Sequence, residues 1–170
     1  MKTRKFYSMQ KLKTVDSLVS AKWLNEHLEA SNLVLLDATI QKATKSEQEG
    51  TESHCIPGAR FFDIKQEFSD VNAEFPNTCP STEQFTEAAR KLGINHDSLI
   101  VIYDKNGLYS SARAWWMFSA FGHRNVAVLN GGFPEWEASG FTVVTCNFEE
   151  PVAMGNFRAE ELSEKFIFYR

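Results

Sequence analysis

The residues best placed for chemistry lie in one short loop, Asp104-Lys-Asn-Gly-Leu-Tyr109, between the apolar run Leu99-Ile-Val-Ile-Tyr103 and a helix-forming stretch over 111–121. A strand-to-helix turn of this kind points several backbone N–H groups at one spot beyond the strand end, which suits an anion. A cysteine held there would be a low-pKa thiolate, fit to attack sulfur or phosphorus. The sequence places Asp104 at that spot instead. A carboxylate satisfies the amides as a fixed structural anion but cannot carry a sulfur atom. No catalytic residue is therefore assigned.

Other reactive side chains are scattered. Cys55, Cys79 and Cys146 form no C-x-x-C pair, which fits neither a disulfide framework nor a structural zinc site. The expectation is three reduced thiols in the cytoplasm, with no metal and no cofactor. His54 adjoins Cys55, but neighbours in extended chain aim their side chains apart, so Cys55 is read as buried and inert. His123 reads as a favourable cation at a helix C-terminus, and His27 and His96 as surface residues. Asn130-Gly131-Gly132 lacks the context of a dinucleotide site and reads as a tight turn.

The elements that must position the loop follow an α/β rhythm of short apolar runs and amphipathic segments. Ser20 can cap a helix carrying Trp23, Leu24 and Leu28, and Leu33-Val-Leu-Leu-Asp-Ala38 reads as a strand covered on both faces. A polar loop follows from Lys42 to Ser53, then a second strand, Ala59-Arg-Phe-Phe-Asp-Ile64, entered through Pro57-Gly58. Ser81-Thr-Glu-Gln84 has capping-box spacing, and Phe85, Ala88, Ala89 and Leu92 form a stripe that stops at Gly93. The helix over 111–121 is apolar nearly all round, so it is either sandwiched or presents a face around Trp115 or Phe118 to something outside the unit. Val126-Ala-Val-Leu129, a short helix around Trp136 and Thr142-Val-Val144 complete the layer.

With 170 residues, 43% of them hydrophobic, the chain can fill one core but not two. We divide it into a flexible N-terminus over 1–16, an α/β domain over 17–146 and a linker beginning at 147. The net charge of -4 lacks the basic excess a nucleic-acid groove needs, and no apolar run approaches the ~20 residues of a membrane span. The first thirteen residues are basic and free of acid, which leaves a mitochondrial presequence as the alternative to a polar, cytoplasmic terminus.

Four segments, in order and with family spacing, resemble the rhodanese-type sulfurtransferases: Ile56-Pro-Gly-Ala-Arg-Phe-Phe-Asp-Ile64, Leu108-Tyr-Ser-Ser-Ala-Arg-Ala-Trp-Trp-Met-Phe118, Phe121-Gly-His-Arg124 and Val128-Leu-Asn-Gly-Gly-Phe-Pro-Glu-Trp136. The similarity runs over 17–159 and is closest to the first domain of the tandem thiosulfate and 3-mercaptopyruvate sulfurtransferases. It implies a rhodanese-like fold, a mostly parallel sheet flanked by helices on both faces. In that family the nucleophilic cysteine sits in the second domain, so Asp104, Gly107, Ser110 and Arg113 are implied to be a vestigial active-site loop. Arg158, in Asn-Phe-Arg-Ala, matches an arginine that lies over the second domain's site and binds the donor's anionic end, as a guanidinium can. By its own neighbourhood it is only a surface charge. The segment 147–170 becomes a linker and the start of a missing second domain. Two positions depart from the family pattern: Cys55 stands where a histidine is expected, and Thr39 replaces an arginine.

Three functions compete. The first is half of an enzyme that moves sulfane sulfur from a small anionic donor to a thiol or cyanide acceptor, inactive without a second rhodanese domain. The second is a rhodanese-fold binding module that has lost its nucleophile. A phosphatase relative, the third, fails because it too needs a cysteine at position 104.

Overall fold

The computed structural model describes residues 11–13, 16–40, 53–162 and 164. The basic extreme N-terminus and all of the polar loop after Lys42 except Ser53 lie outside them. Within the stretch read as flexible, Leu12 exchanges two 3.0 Å hydrogen bonds with the side chain of Asn32.

In chain order the elements are β1 (Leu18–Val19), α1 (Ala21–His27), β2 (Leu33–Asp37), β3 (His54–Cys55), β4 (Arg60–Phe61), α2 (Thr82–Lys91), β5 (Leu99–Tyr103), α3 (Ser111–Ala120), β6 (Val126–Leu129), α4 (Gly132–Ala138) and β7 (Val144–Thr145). Five strands form one parallel sheet in the order β1-β6-β5-β2-β4, with β5 at its centre. Alternation along each buried strand divides the core in two. Val34, Leu36, Ile100 and Ile102 face the α2 and α3 side, while Leu35, Leu99, Val101 and Tyr103 face α1 and α4. This is why β2 and β5 read as unbroken apolar runs.

On the first face Phe85 of α2 meets the rings of Phe68, Phe118, Phe121 and Phe157 at centroid distances from 4.3 to 6.1 Å. On the second, Trp136 is fully buried and its indole N–H donates to the Thr142 carbonyl at 2.9 Å. The Ser20 and Ser81 hydroxyls cap α1 and α2 as expected, accepting from Trp23 N at 3.1 Å and Gln84 N at 3.2 Å. The α3 helix is neither fully sandwiched nor bare. Trp115 and Trp116 are half-buried, and the Trp115 indole donates to the Val126 carbonyl at 3.1 Å.

Two strand expectations need correction, and one strand goes unforeseen. The second strand shrinks to Arg60–Phe61, because the Asp63 carboxylate accepts from Lys65 N and Gln66 N and turns the chain, leaving Phe62 and Ile64 buried as loop. The segment at 142–144 does not complete the layer. Its end forms β7, which pairs antiparallel with β3 in a separate two-stranded ribbon. β1 has no counterpart in the sequence reading, being too short to show a period.

Candidate functional site

The loop after β5 is built around one carboxylate. Asp104 is fully buried; its Oδ1 accepts from Asn106 N at 2.8 Å, and its Oδ2 accepts from Ser110 N at 3.0 Å and Ser111 N at 2.9 Å. These amides include the first of α3, so the carboxylate also lies at the positive end of that helix. Neighbouring strand ends hold the loop in place. Ser110 Oγ donates to the Ala38 carbonyl at 2.6 Å, Lys105 N to Thr39 Oγ1 at 3.1 Å, and Phe133 N to the Asp104 carbonyl at 3.0 Å. Gly107, at φ +96°, closes the turn. Gly132 must be glycine, since a Cβ there would stand 2.3 Å from the Gly107 carbonyl oxygen.

Arg113 does not enter the cradle. Its Nη2 donates to the Asn77 carbonyl, so it ties the 70s loop to the first turn of α3, and its buried Nε has no hydrogen-bond partner among the described residues. Arg158 is exposed, held between two anchors: Phe157 and Ala159 are buried, Phe157 N donates to Ile94 O at 3.0 Å, and Ala159 N donates to Thr86 Oγ1 at 3.0 Å. The next residue, Glu160, bonds to the Phe121 carbonyl at the far end of α3 from the cradle. Ten residues of helix, about 15 Å, separate those ends. The structure thus gathers Asp104, Gly107 and Ser110 at one point and leaves Arg113 and Arg158 away from it.

Tyr103 and Asp37 end the two central strands beside the loop. Burial, with the Asp37 carboxylate second, pushes the Tyr103 phenol well above its ordinary range, and its oxygen accepts from Ile56 N at 3.4 Å. The sequence reads Tyr103 only as the end of a strand, while Asp37 matches the acid at the family's strand end.

Two side-chain readings are corrected. Cys55 and Cys146 are joined as a disulfide with Cα atoms 5.2 Å apart, an ordinary span. The β3–β7 ribbon brings together residues 91 apart in sequence, which spacing alone cannot show. Cys79 remains a thiol, raised by burial. His123 is not an exposed helix-end cation but is buried between Phe118 and Phe157, where desolvation lowers its pKa and a ring nitrogen meets the Ser98 carbonyl at 2.9 Å. Gly122, at φ +86°, turns the chain so that the ring folds back inward.

A parallel sheet covered on both faces, with an amide-lined turn at the carboxyl end of its central strand, defines an α/β anion-cradle domain, here one in which the chain supplies the anion itself. The Rhodanese-like domain family matches residues 20–139, and the chain belongs to it. It is 38% identical over 146 residues to thiosulfate/3-mercaptopyruvate sulfurtransferase 1, mitochondrial, of Arabidopsis thaliana, covering 84% of this chain and 38% of that protein. It is 43% identical over 128 residues to the 3-mercaptopyruvate sulfurtransferase of Homo sapiens, covering 71% and 43%. Among solved structures, SseA from Escherichia coli, described as a 3-mercaptopyruvate sulfotransferase of rhodanese fold, superposes with a TM-score of 0.76 at 32% identity, covering 88% of this chain and 57% of that one. The chain spans less than half the length of these two relatives.

Proposed function

We propose that the chain is the cysteine-free, first rhodanese domain of a sulfurtransferase that moves sulfane sulfur from thiosulfate or 3-mercaptopyruvate to a thiol or cyanide. The observation that carries this reading is the Asp104 carboxylate in the cradle, held by three amides where a persulfide-forming thiolate would have to stand. The persulfide cysteine then belongs to a second rhodanese domain, and this one supports and orients. Arg158 is proposed to reach across the linker to the donor's anionic group; its exposed guanidinium, fixed by buried neighbours on either side, supports that role.

Exposed apolar side chains favour a partner domain over a free-standing module. Val71, Phe75, Leu108 and Tyr109 are from 47% to 69% exposed, and Arg113 links their two loops. The expected face around Trp115 is half-covered, so the surface offered lies at the carboxyl end of the sheet instead. The compartment is proposed as cytoplasmic or mitochondrial, the second supported by the Arabidopsis relative's name.

The test is thiocyanate formation from cyanide by the purified chain, with thiosulfate and with 3-mercaptopyruvate as donors. No turnover is expected from the chain alone. In the two-domain protein, Arg158→Ala should raise KM about tenfold or more with kcat less affected, as for a lost charge-assisted contact to substrate. Turnover by the isolated chain after all three cysteines are changed to serine would sink the reading.

A further inference from the structure

The Cys55–Cys146 pair takes no part in the Asp104 hydrogen bonds, and its two sulfurs have unequal surroundings. Both line an open groove of about 1370 Å³, but Cys55, on β3, is only 2% exposed, whereas Cys146 is half-buried and follows the exposed Val144 and Thr145. The Lys105 ammonium stands 3.8 Å from Cys146 Sγ and also donates to Ser53 Oγ, itself 3.7 Å from that sulfur. Lys105 is steadied from both ends: its backbone N–H donates to Thr39 Oγ1, and its ammonium lies 5.8 Å from the centre of the Phe133 ring. It also lines a smaller cleft of about 480 Å³ that shares Phe61, Asp63 and Phe148 with the groove. One accessible sulfur beside a cation and one buried sulfur within bonding reach is the division of labour of an attacking and a resolving cysteine.

We infer that this pair, once reduced, is a second sulfur-handling site that takes sulfane sulfur from a small persulfide and releases it as hydrosulfide. The choice of a persulfide as substrate rests on the function proposed above; the thiol pair itself does not. In the first step the Cys146 thiolate, stabilised by Lys105, attacks the outer sulfur of R–S–SH. The donor's S–S bond breaks, R–S⁻ leaves, and Cys146 carries the new persulfide with its proton. In the second step Cys55 gives its proton to solvent and its thiolate attacks Cys146 Sγ. The Cys146 persulfide bond breaks, HS⁻ leaves, and the Cys55–Cys146 disulfide forms. Two thiols are oxidised while the sulfane sulfur gains their two electrons as hydrosulfide. An external dithiol resets the site by reducing the disulfide to two thiols.

The experiment uses the reduced, desalted chain with glutathione persulfide as donor, following hydrosulfide release and intact mass. The wild-type chain should release hydrosulfide in proportion to chain and return to the disulfide-bonded mass. Cys55→Ser should instead accumulate one added sulfur, mapped to Cys146, and Cys146→Ser should release none. Lys105→Met should slow sulfur uptake about tenfold, since the thiolate loses its cation. A measurement on the unmutated protein guards against misfolded variants: in the reduced chain, iodoacetamide should label Cys146 ahead of Cys79 and Cys55. Sulfur carried on Cys55 or Cys79 in preference to Cys146, hydrosulfide release undiminished in Cys146→Ser, or Cys79 labelled first would each overturn the inference. With thiosulfate as donor none of these signals should arise, so failure of the cradle reading and failure of this one show with different donors.

Discussion

Asp104 terminates three backbone N–H bonds with one carboxylate, two of them fully inside the protein. Replacing it by alanine leaves those donors without a partner, and Asp104→Ala should cost roughly 3 kcal/mol of stability, read as a lowered urea midpoint. The same substitution should leave the isolated chain as inactive as before. His123 works in the opposite electrical sense, because the fold holds its neutral form. Its pKa in the folded chain lies below the 6.5 of the free imidazole. Below that pH the unfolded chain takes up a proton that the folded chain refuses, so the stabilisation is complete above pH 6.5 and drains away as the pH falls toward the depressed value. Urea midpoints measured from pH 8 down to pH 5 should fall on the acid side in the wild type, and His123→Phe should flatten that part of the decline.

At the scale of elements, the end of α2 carries more than its own hydrogen bonds. Ile94 N donates to Ala89 O at 3.1 Å and Gly93 N to Arg90 O at 2.8 Å, the paired closure of a helix that ends on a left-handed residue. Gly93 sits at φ +70°, and a Cβ there would meet Val152 Cγ1 at 2.5 Å and the Arg60 guanidinium at 2.8 Å. Gly93→Ala should therefore cost about 1 kcal/mol for the backbone alone, with a further penalty as the arm at 152–154 is pushed off. Faster amide exchange at Gly155, whose N–H donates to Arg90 O at 2.9 Å, would mark that displacement. A cap glycine was legible from the stripe that stops there. Its second duty, seating the returning arm, was not, because the arm arrives from sixty residues away.

Over the whole molecule, the disulfide closes a loop of 91 residues and joins the end of β3 to the chain leaving β7. On the chain-entropy account a crosslink of that span stabilises by roughly 4.6 kcal/mol. Thermal unfolding with and without a strong dithiol reductant should show a Tm lowered by about 10 °C or more when the bond is open, and the Cys146→Ser protein should show no such difference. An unchanged Tm in the wild type would mean that the ribbon holds without its bond.

The α/β class, the strands β2, β5 and β6, the capped α2, the glycines that end helices and the position of Asp104 in a strand-to-helix loop were all readable from the sequence. Each of these depends on a local period or on one residue's conformational range, and such information is carried by neighbours in the chain. Tertiary structure alone decided that Cys55 meets Cys146, that His123 turns into the core, that β7 leaves the main sheet, and that Arg158 stands far from the cradle. In all four the partner lies on another element. Which elements meet is settled by how two faces of one sheet are covered, and no local pattern encodes that.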